Sequence, residues 1–488
     1  MTRGRVGAAV ALVAGALAAG VTFGFREATA GELTGTWIGG YQGGSRPVAL
    51  QVELVQHGGR LSGTAEIGIA QKPVEIALRD ASVRHGRVTL TLANGTVLEG
   101  RSSRGRIAGR RFELYRLRPN PVGKLQRLVG AYRFANGDVV SLFVEPLGTH
   151  LRMLDYGTGQ MRQLAQVSRD DFLAGPTIRA PWPIQARVQL VRDSSDSVVA
   201  LRRNGQSARR MPLAVQPADF ASGDVHLVGK LVRPRGAGPF PAVVIVSGSE
   251  KATRDTFDLW GMFFASRGFA VLSYDKRGVG ESSGRFVATP SQGNLHNLAG
   301  DVVAGVEWLR RQPEIDPRRI GLTGGSQAGW IIAIAASESS DVRFAAVQSG
   351  PAMSVGRERA FAAVTGNGSV VPPPTEAQIH AALDGHPDAG FDPKPALAAI
   401  HVPVLWQLGG ADKRQYAPET VANLNAIAAQ GGHDFTIRVY PTGAHSLRDT
   451  RRGLISEELN AKRFVPGLFQ DLAAWLSVKV GPLPSRRS

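Results

Sequence analysis

The 488-residue chain contains no cysteine. That excludes disulfides, thiolate zinc sites and a cysteine nucleophile, and leaves the redox compartment open. A phosphate loop, a dinucleotide fingerprint and a metal-ligand cluster are missing too, so no cofactor and no metal is expected. The histidines at 57, 85 and 150 are too far apart for a metal motif and read as surface or packing residues. There is no basic helix interleaved with aromatics and no zinc-finger or RNA-binding signature. The net charge of +17 therefore reads as a generally basic surface and not as a nucleic-acid site. Arg84, Arg87, Arg101, Arg104, Arg106, Arg110 and Arg111 contribute to it, scattered over strands and loops. The charge suggests at most a weak association with acidic envelope polymers or a membrane surface.

What is present is globular. Hydrophobic residues make up 43% and charged residues 20%, and the length suits two or three domains. Residues 1–30 have the form of a secretory signal. Arg3 and Arg5 precede an apolar run from Val6 to Val21, and Ala28-Thr29-Ala30 has the small-x-small form of a cleavage site. The run is short for a membrane span. Cleavage after Ala30 would start the mature chain near Gly31; an uncleaved anchor is the alternative. Either places the protein outside the cytoplasm, secreted or in the periplasm or cell envelope.

Residues 31–220 are β-rich. Val88 to Leu92 alternates, and Asn94-Gly95 turns into Thr96 to Gly100, a hairpin signal. Asn136-Gly137 does the same before Val139 to Val144. Gly35-Thr36-Trp37 and Gly130-Ala131-Tyr132 each open a strand-rich stretch, which suggests two antiparallel modules with a boundary near residue 125. No helix of amphipathic length stands out before residue 220.

From 221 to 478 the pattern changes to alternating strands and helices. Apolar runs such as Pro241 to Val246 are of the kind buried on both faces of a parallel sheet. Helices are expected over Asp258–Arg267, Leu298–Arg310, Pro418–Ala429 and Leu468–Leu476. The expected fold class is α/β, a mostly parallel sheet flanked by helices, preceded by an antiparallel all-β domain. The stretch 352–400, with Pro372-Pro373-Pro374, interrupts the rhythm and reads as a cap insertion. Residues 479–488 read as a tail.

The chemistry centres on Ile320 to Trp330, a strand, a glycine turn, Ser326 and a helix. A serine on such a corner projects its hydroxyl outward, with a helix N-terminus behind it. Serine is a weak nucleophile and needs a base, an orienting carboxylate and oxyanion donors. Asp412 follows one strand end and His445 follows the next, giving the order Ser326, Asp412, His445. That order and those strand ends suit a catalytic triad. His433 and Asp434 precede the last strand and belong at the opposite end of the sheet. The oxyanion donors are expected to be the amide of Gln327 and that of Ser249, with Gly248 the alternative.

Tyr274-Asp275-Lys276-Arg277-Gly278-Val279-Gly280-Glu281-Ser282 resembles the Asp-x-Arg-Gly-x-Gly-x-Ser stretch of many α/β-hydrolases. With Ser247-Gly248-Ser249, Arg254-Asp255, the elbow and the Asp412 and His445 loops, residues 220–478 resemble secreted carboxylesterases of the dienelactone-hydrolase/prolyl-oligopeptidase-like group. The resemblance implies a nucleophile elbow, with Asp275 and Arg277 as structural ties. Two departures stand out: such families have histidine where Ser247 stands and glycine where Glu250 stands. Glu250 puts a charge near the site and is expected to bear on substrate binding.

The resulting expectation is a serine esterase acting on a small-molecule ester of short-to-medium acyl length through an acyl-enzyme. Alternatives are a peptidase or amidase of the prolyl-oligopeptidase-like group, a thioesterase or lactonase, and a non-catalytic polysaccharide or envelope binding protein. About 190 residues without a blade-length repeat is too little for a seven-bladed propeller.

Overall fold

The computed structural model describes residues 32–44, 46–67, 74–118, 121–144, 150–178, 182–386 and 388–481. The signal, its cleavage site and residues 482–488 lie outside the described residues.

Two closed eight-stranded antiparallel barrels come first. In the strand Arg87–Leu92, Val88, Leu90 and Leu92 are buried while Arg87 is exposed. Every second side chain therefore fills the interior, and the sheet curls until its last strand meets its first. Trp37 pairs with Arg116 and Tyr41 with Phe112 at that seam. The helix Val122–Gln126 leads into the second barrel, which closes by pairing Ala208 with Phe134. Tyr132, Val140, Leu142, Val188 and Leu201 fill it. The barrels touch through Ile38, Tyr115, Ala165 and Leu173.

An eight-stranded mixed sheet follows, formed by β1 (Leu213–Ser222), β2 (Val225–Pro234), β3 (Phe240–Val246), β4 (Ala270–Tyr274), β5 (Ile315–Gly325), β6 (Phe344–Gln348), β7 (Val404–Gly409) and β8 (Phe435–Tyr440). Their spatial order is β1-β2-β4-β3-β5-β6-β7-β8. β1 to β2 and β2 to β4 are antiparallel, and every later pairing is parallel. The mostly parallel sheet expected from the alternation is thus observed. It begins at Leu213, because a β-hairpin reads the same whether it ends a barrel or starts an edge.

Alternate residues of the central strands face two separate cores. Val244, Leu322 and Val347 pack under α2 (Gln292–Arg310) and α3 (Ala328–Glu338). Val243, Ile245, Phe344 and Leu405 pack under α1 (Asp258–Ala265) and the C-terminal helix Leu468–Lys479. α2 starts six residues before the sequence expectation because Ser291 caps it, accepting from the Asn294 N–H at 3.4 Å, ahead of the first periodic apolar residue. The second barrel shares the second core: Ala131, Phe143, Leu154 and Tyr156 join Phe263 and Phe469, and the Tyr156 hydroxyl donates to Leu259 O at 2.6 Å.

A buried charge cluster pins that junction. Lys230 Nζ on β2 donates to Asp255 Oδ1 and Asp258 Oδ1, both at 2.6 Å. Gln126 Nε2, from the helix between the barrels, donates to Asp258 Oδ2 at 2.8 Å. Asp258 is 4% exposed. Removing the cation leaves that carboxylate uncompensated in a dry site. Lys230→Met should therefore lower stability by about 3 kcal/mol. Urea denaturation followed by tryptophan fluorescence reads it, and an unchanged midpoint would count against the cluster as a tie.

Candidate active site

The chain reverses sharply where β5 meets α3, and the packing of the glycines fixes the bend. A Cβ on Gly324 would sit 2.3 Å from Val246 O and 2.8 Å from the Ala328 Cβ. One on Gly329 would sit 2.8 Å from Gly350 Cα. Only glycine fits at both, while the position of Ala328 has room for a methyl group. Between them Ser326 takes φ 59°, a left-handed value disfavoured for serine and held by the surrounding backbone. Its N–H donates to Gln348 O at 3.0 Å and its C=O accepts from Gly329 N at 2.8 Å. The side chain is partly exposed, and its hydroxyl makes no hydrogen bond among the described residues.

Asp412 and His445 are brought together. His445 Nδ1 lies 2.8 Å from Asp412 Oδ2. The other carboxylate oxygen accepts the N–H groups of Arg414 at 2.7 Å and Gln415 at 3.1 Å. With its oxygens so occupied the carboxylate has one orientation, and Nδ1–H is fixed as donor, leaving Nε2 as a base. The two loops are laced together by backbone bonds, Ala411 N to Gly443 O at 2.9 Å and Gly410 N to Tyr440 O at 2.8 Å. His433 instead lies at the other end of β8, with Nδ1 2.8 Å from Ile400 O and its ring stacked on His401.

The loop after β3 lies against the elbow, with a Cβ on Gly248 only 3.2 Å from Gly325 O. Both polar ends of the Gly248 residue are held. Its N–H donates to Glu250 Oε1 at 2.8 Å, and its C=O accepts from Lys276 Nζ at 2.6 Å. The Gly248 N–H is therefore occupied, whereas those of Ser249 and Gln327 have no protein acceptor among the described residues. Glu250 turns its carboxylate back onto its own loop.

Asp275 and Arg277 act as ties beneath. Asp275 accepts from Arg254 N at 2.7 Å and Glu281 N at 2.9 Å, and Arg277 forks onto Asp301. Between them Lys276 is 2% exposed, and burial lowers its pKa to about 8 against the opposing pull of Glu250 and Asp301. It was hidden in sequence at the variable position of its motif.

Between β6 and β7 the chain forms α4 (Val355–Thr365), α5 (Glu376–Asp384) and α6 (Lys394–Ala398). From the first turn of α4, Glu358 lies in the electrostatic field of the His445–Asp412 pair. Burial raises its pKa to about 7, with His445 and Arg359 opposing the rise and Asp412 adding to it. No sequence signal marked it, since a glutamate in the first turn of a helix is ordinary. Among the described residues no group of three or more His, Asp or Glu could hold a metal.

A sheet of this order, with a serine at the turn after β5, an aspartate after β7 and a histidine after β8, is an α/β-hydrolase domain. The pattern defining the X-Pro dipeptidyl-peptidase (S15) family matches residues 222–375, less than half of the chain. Esterase FrsA of Escherichia coli is 31% identical over 105 residues, covering 21% of this chain and 25% of that protein. The Escherichia fergusonii esterase FrsA is 32% identical over the same length. The chain thus spans about a quarter of the length of these curated relatives. Among solved structures, the Pyrococcus furiosus esterase Pf2001 is similar at 16% identity and TM-score 0.41, over 55% of this chain and 92% of that one. Dienelactone hydrolase from Anabaena variabilis is similar at 17% and 0.34, over 55% and 96%.

Two outcomes follow from the buried charges. Lys276 is charged below about pH 8 and neutral above it, so its hold on Gly248 O weakens as pH rises through that value. Activity should show an alkaline limb near pH 8. Lys276→Met should lower kcat at pH 7 by about tenfold with little change in KM, and should lack that limb. An unaltered limb would separate the lysine from the loop. Glu358 is neutral below about pH 7 and ionised above it. Its charge would favour the imidazolium formed on proton transfer, so rates on neutral substrates should gain a rise through pH 7 that Glu358→Gln removes. A kcat/KM–pH profile of the two proteins reads this.

Proposed function

We propose that the chain is a serine hydrolase that cleaves carboxylic esters of short-to-medium acyl length. The observation that carries the proposal is the His445–Asp412 hydrogen bond, made by residues from the two strand ends that follow a serine held at φ 59° on a strand-to-helix corner. In this reading Ser326 Oγ attacks the ester carbonyl and His445 Nε2 takes its proton. The oxyanion rests on the N–H groups of Gln327 and Ser249. Collapse of the tetrahedral intermediate expels the alcohol, which receives the proton from His445. Water, deprotonated by the same nitrogen, then attacks the acyl-enzyme and frees the acid and Ser326. Asp412 holds the tautomer and stabilises the imidazolium. The mechanism uses no cofactor. The esterases among the similar proteins support the choice of ester.

The S15 match favours a second reading, a peptidase cleaving after proline, because the same machinery serves an amide leaving group. A secretory signal at 1–30 further suggests that the work is done outside the cytoplasm.

Ser326→Ala should reduce turnover of p-nitrophenyl acetate and butyrate at least about a thousandfold, and Asp412→Asn by roughly two to four orders of magnitude. A fluorophosphonate should label Ser326 in the wild type alone. Full activity in Ser326→Ala would sink the proposal, and faster cleavage of an X-Pro-p-nitroanilide than of the esters would select the peptidase.

A further inference from the structure

The arginines of the first barrel look scattered along the chain, but the barrel gathers them. Its eight strands are neighbours in sequence order, so alternate hairpins lie on the same rim. The hairpin joining Arg46–His57 to Arg60–Ile67 shares a rim with the one joining Val74–Arg84 to Arg87–Leu92. The hairpin joining Val97–Ser103 to Arg106–Gly109 lies there too. Their tips read His57-Gly58-Gly59-Arg60, Arg84-His85-Gly86-Arg87 and Ser103-Arg104-Gly105-Arg106. Each ends on Gly-Arg, and none holds an acidic residue.

The tips are rigid two-residue turns. His85 and Gly86 have φ 49° and 73°, and Arg104 and Gly105 have φ 44° and 77°. Such turns continue the twist of their strands and hold the flanking side chains in place. The pairing then sets like charges against one another: Arg84 opposes Arg87, and Arg87 opposes Arg101. Opposed residues share a face and lie about 4.5–5.5 Å apart, well inside a Debye length of about 8 Å. Among the described residues, the exposed side chains of Arg60, Arg84, Arg87, Arg101 and Arg104 make no ion pair or side-chain hydrogen bond; only Arg106 is paired, with Glu113 at 2.7 Å. Like charges directly opposed are destabilising, and no ion pair among the described residues relieves them.

Two acids of this barrel face each other toward the other rim. Glu66 opposes Glu75 across their strands, and burial followed by the charges of Glu75 and Glu53 raises the Glu66 pKa. Glu75 is at the start of the strand that ends on Arg84, a strand length of about 30 Å away. The rim formed by these three tips is thus cationic, while the opposite rim mixes Arg110 and Arg111 with the Glu66–Glu75 pair.

We propose that this rim binds an anionic polysaccharide, its guanidinium groups taking successive carboxylates along the polymer. Guanidinium forks suit planar carboxylates, and alternate tips about 10 Å apart suit a charge-repeating chain. The tips carry no tryptophan, tyrosine or phenylalanine on which bases could stack, which disfavours single-stranded nucleic acid. They carry no large apolar side chain to enter a lipid interface, which disfavours a membrane. The site is separate from Ser326 and stands whatever the hydrolase acts on.

Binding of fluorescein-labelled polygalacturonate to the full chain by polarisation at low salt tests it. The rim variant is Arg60→Gln with Arg87→Gln and Arg104→Asn, asparagine being tolerant of positive φ. Arg79→Gln with Arg110→Gln and Arg111→Gln, exposed arginines of the barrel wall and the opposite rim, removes the same three charges and is the control for net charge. The rim variant should bind at least about tenfold more weakly, with a salt slope smaller by about two, and the control within about twofold of wild type. Equal losses in rim variant and control would reduce the effect to net charge and overturn the proposal. So would tighter binding of oligo(dT) or of phosphatidylglycerol vesicles than of polygalacturonate. Should the rim variant lose the wild-type circular dichroism, the single change Arg87→Gln replaces it, with an expected loss of about threefold. Wild-type-like binding by it would overturn the proposal.

Discussion

The turn at Ser326 depends on close backbone approach, and the rest of the site depends on that turn. Gly324 lets β5 run against the carbonyl of Val246, and Gly329 lets α3 lie on Gly350. Serine pays for the bend with a left-handed φ that a buried, hydrogen-bonded corner can hold. The corner in turn sets where other groups must be: the loop after β3 on one side, the Asp412 and His445 loops on the other. Those loops are short and glycine-rich for the same reason. A Cβ on Gly409 would lie 2.3 Å from Gly443 O, so the aspartate and histidine loops interlock through bare backbone.

That dependence explains which parts could be read in the sequence. A buried parallel strand such as Phe240–Val246 carries an apolar signal that tertiary packing does not alter, and the run expected from Pro241 to Val246 lies within it. The glycine turns announce themselves because few residues can replace glycine there. Ser326, Asp412 and His445 stand in an order that only strand ends make meaningful. Lys276 and Glu358 were not legible. Each is an ordinary charged residue locally, and its significance comes from burial beside a partner distant in sequence: Gly248 for the lysine, the His445–Asp412 pair for the glutamate. The closure of the β-rich half into two barrels was also beyond the sequence, since alternation fixes a strand's faces but not which edges meet. The arginine rim is the clearest case, because residues from 60 to 104 converge only once the strand order is known.

The two halves of the chain are joined by chemistry more specific than surface contact. Tyr156 of the second barrel inserts among Phe263 and Phe469, at edge-on geometry with ring centroids 5.3 Å and 5.1 Å apart, and its hydroxyl also donates a hydrogen bond to the Leu259 carbonyl. Lys230, Asp258 and Gln126 add a buried polar tie that has to be satisfied as a unit. Among the described residues the first barrel has no comparable buried charge cluster: it meets the second through the apolar patch around Ile38 and Tyr115, with Arg187 donating to the Tyr115 hydroxyl at 2.9 Å. Energetic weight is thus graded along the chain, from an outer barrel with an unsatisfied cationic rim to an inner barrel that forms part of the hydrolase core.

Charge placement around the reacting centre follows a single logic. The mechanism proposed above, hydrolysis through an acyl-enzyme, would develop negative charge at an oxyanion beside the loop after β3 and positive charge on the His445 imidazole. Lys276 fixes the loop on the oxyanion side from beneath, where its own charge is neutralised in part by Glu250 on the same loop. Glu358 approaches the imidazole side from the helical insertion. The lysine loses charge at about pH 8 and the glutamate gains it at about pH 7. Both are ionised near neutrality, so under the proposed mechanism burial would favour activity there without any change to Ser326, Asp412 and His445. Glu250 then acquires a structural reason: the buried Lys276 under the loop after β3 needs a counter-charge, and the loop supplies it two residues beyond Gly248, while its carboxylate also occupies the Gly248 N–H and leaves that of Ser249 free.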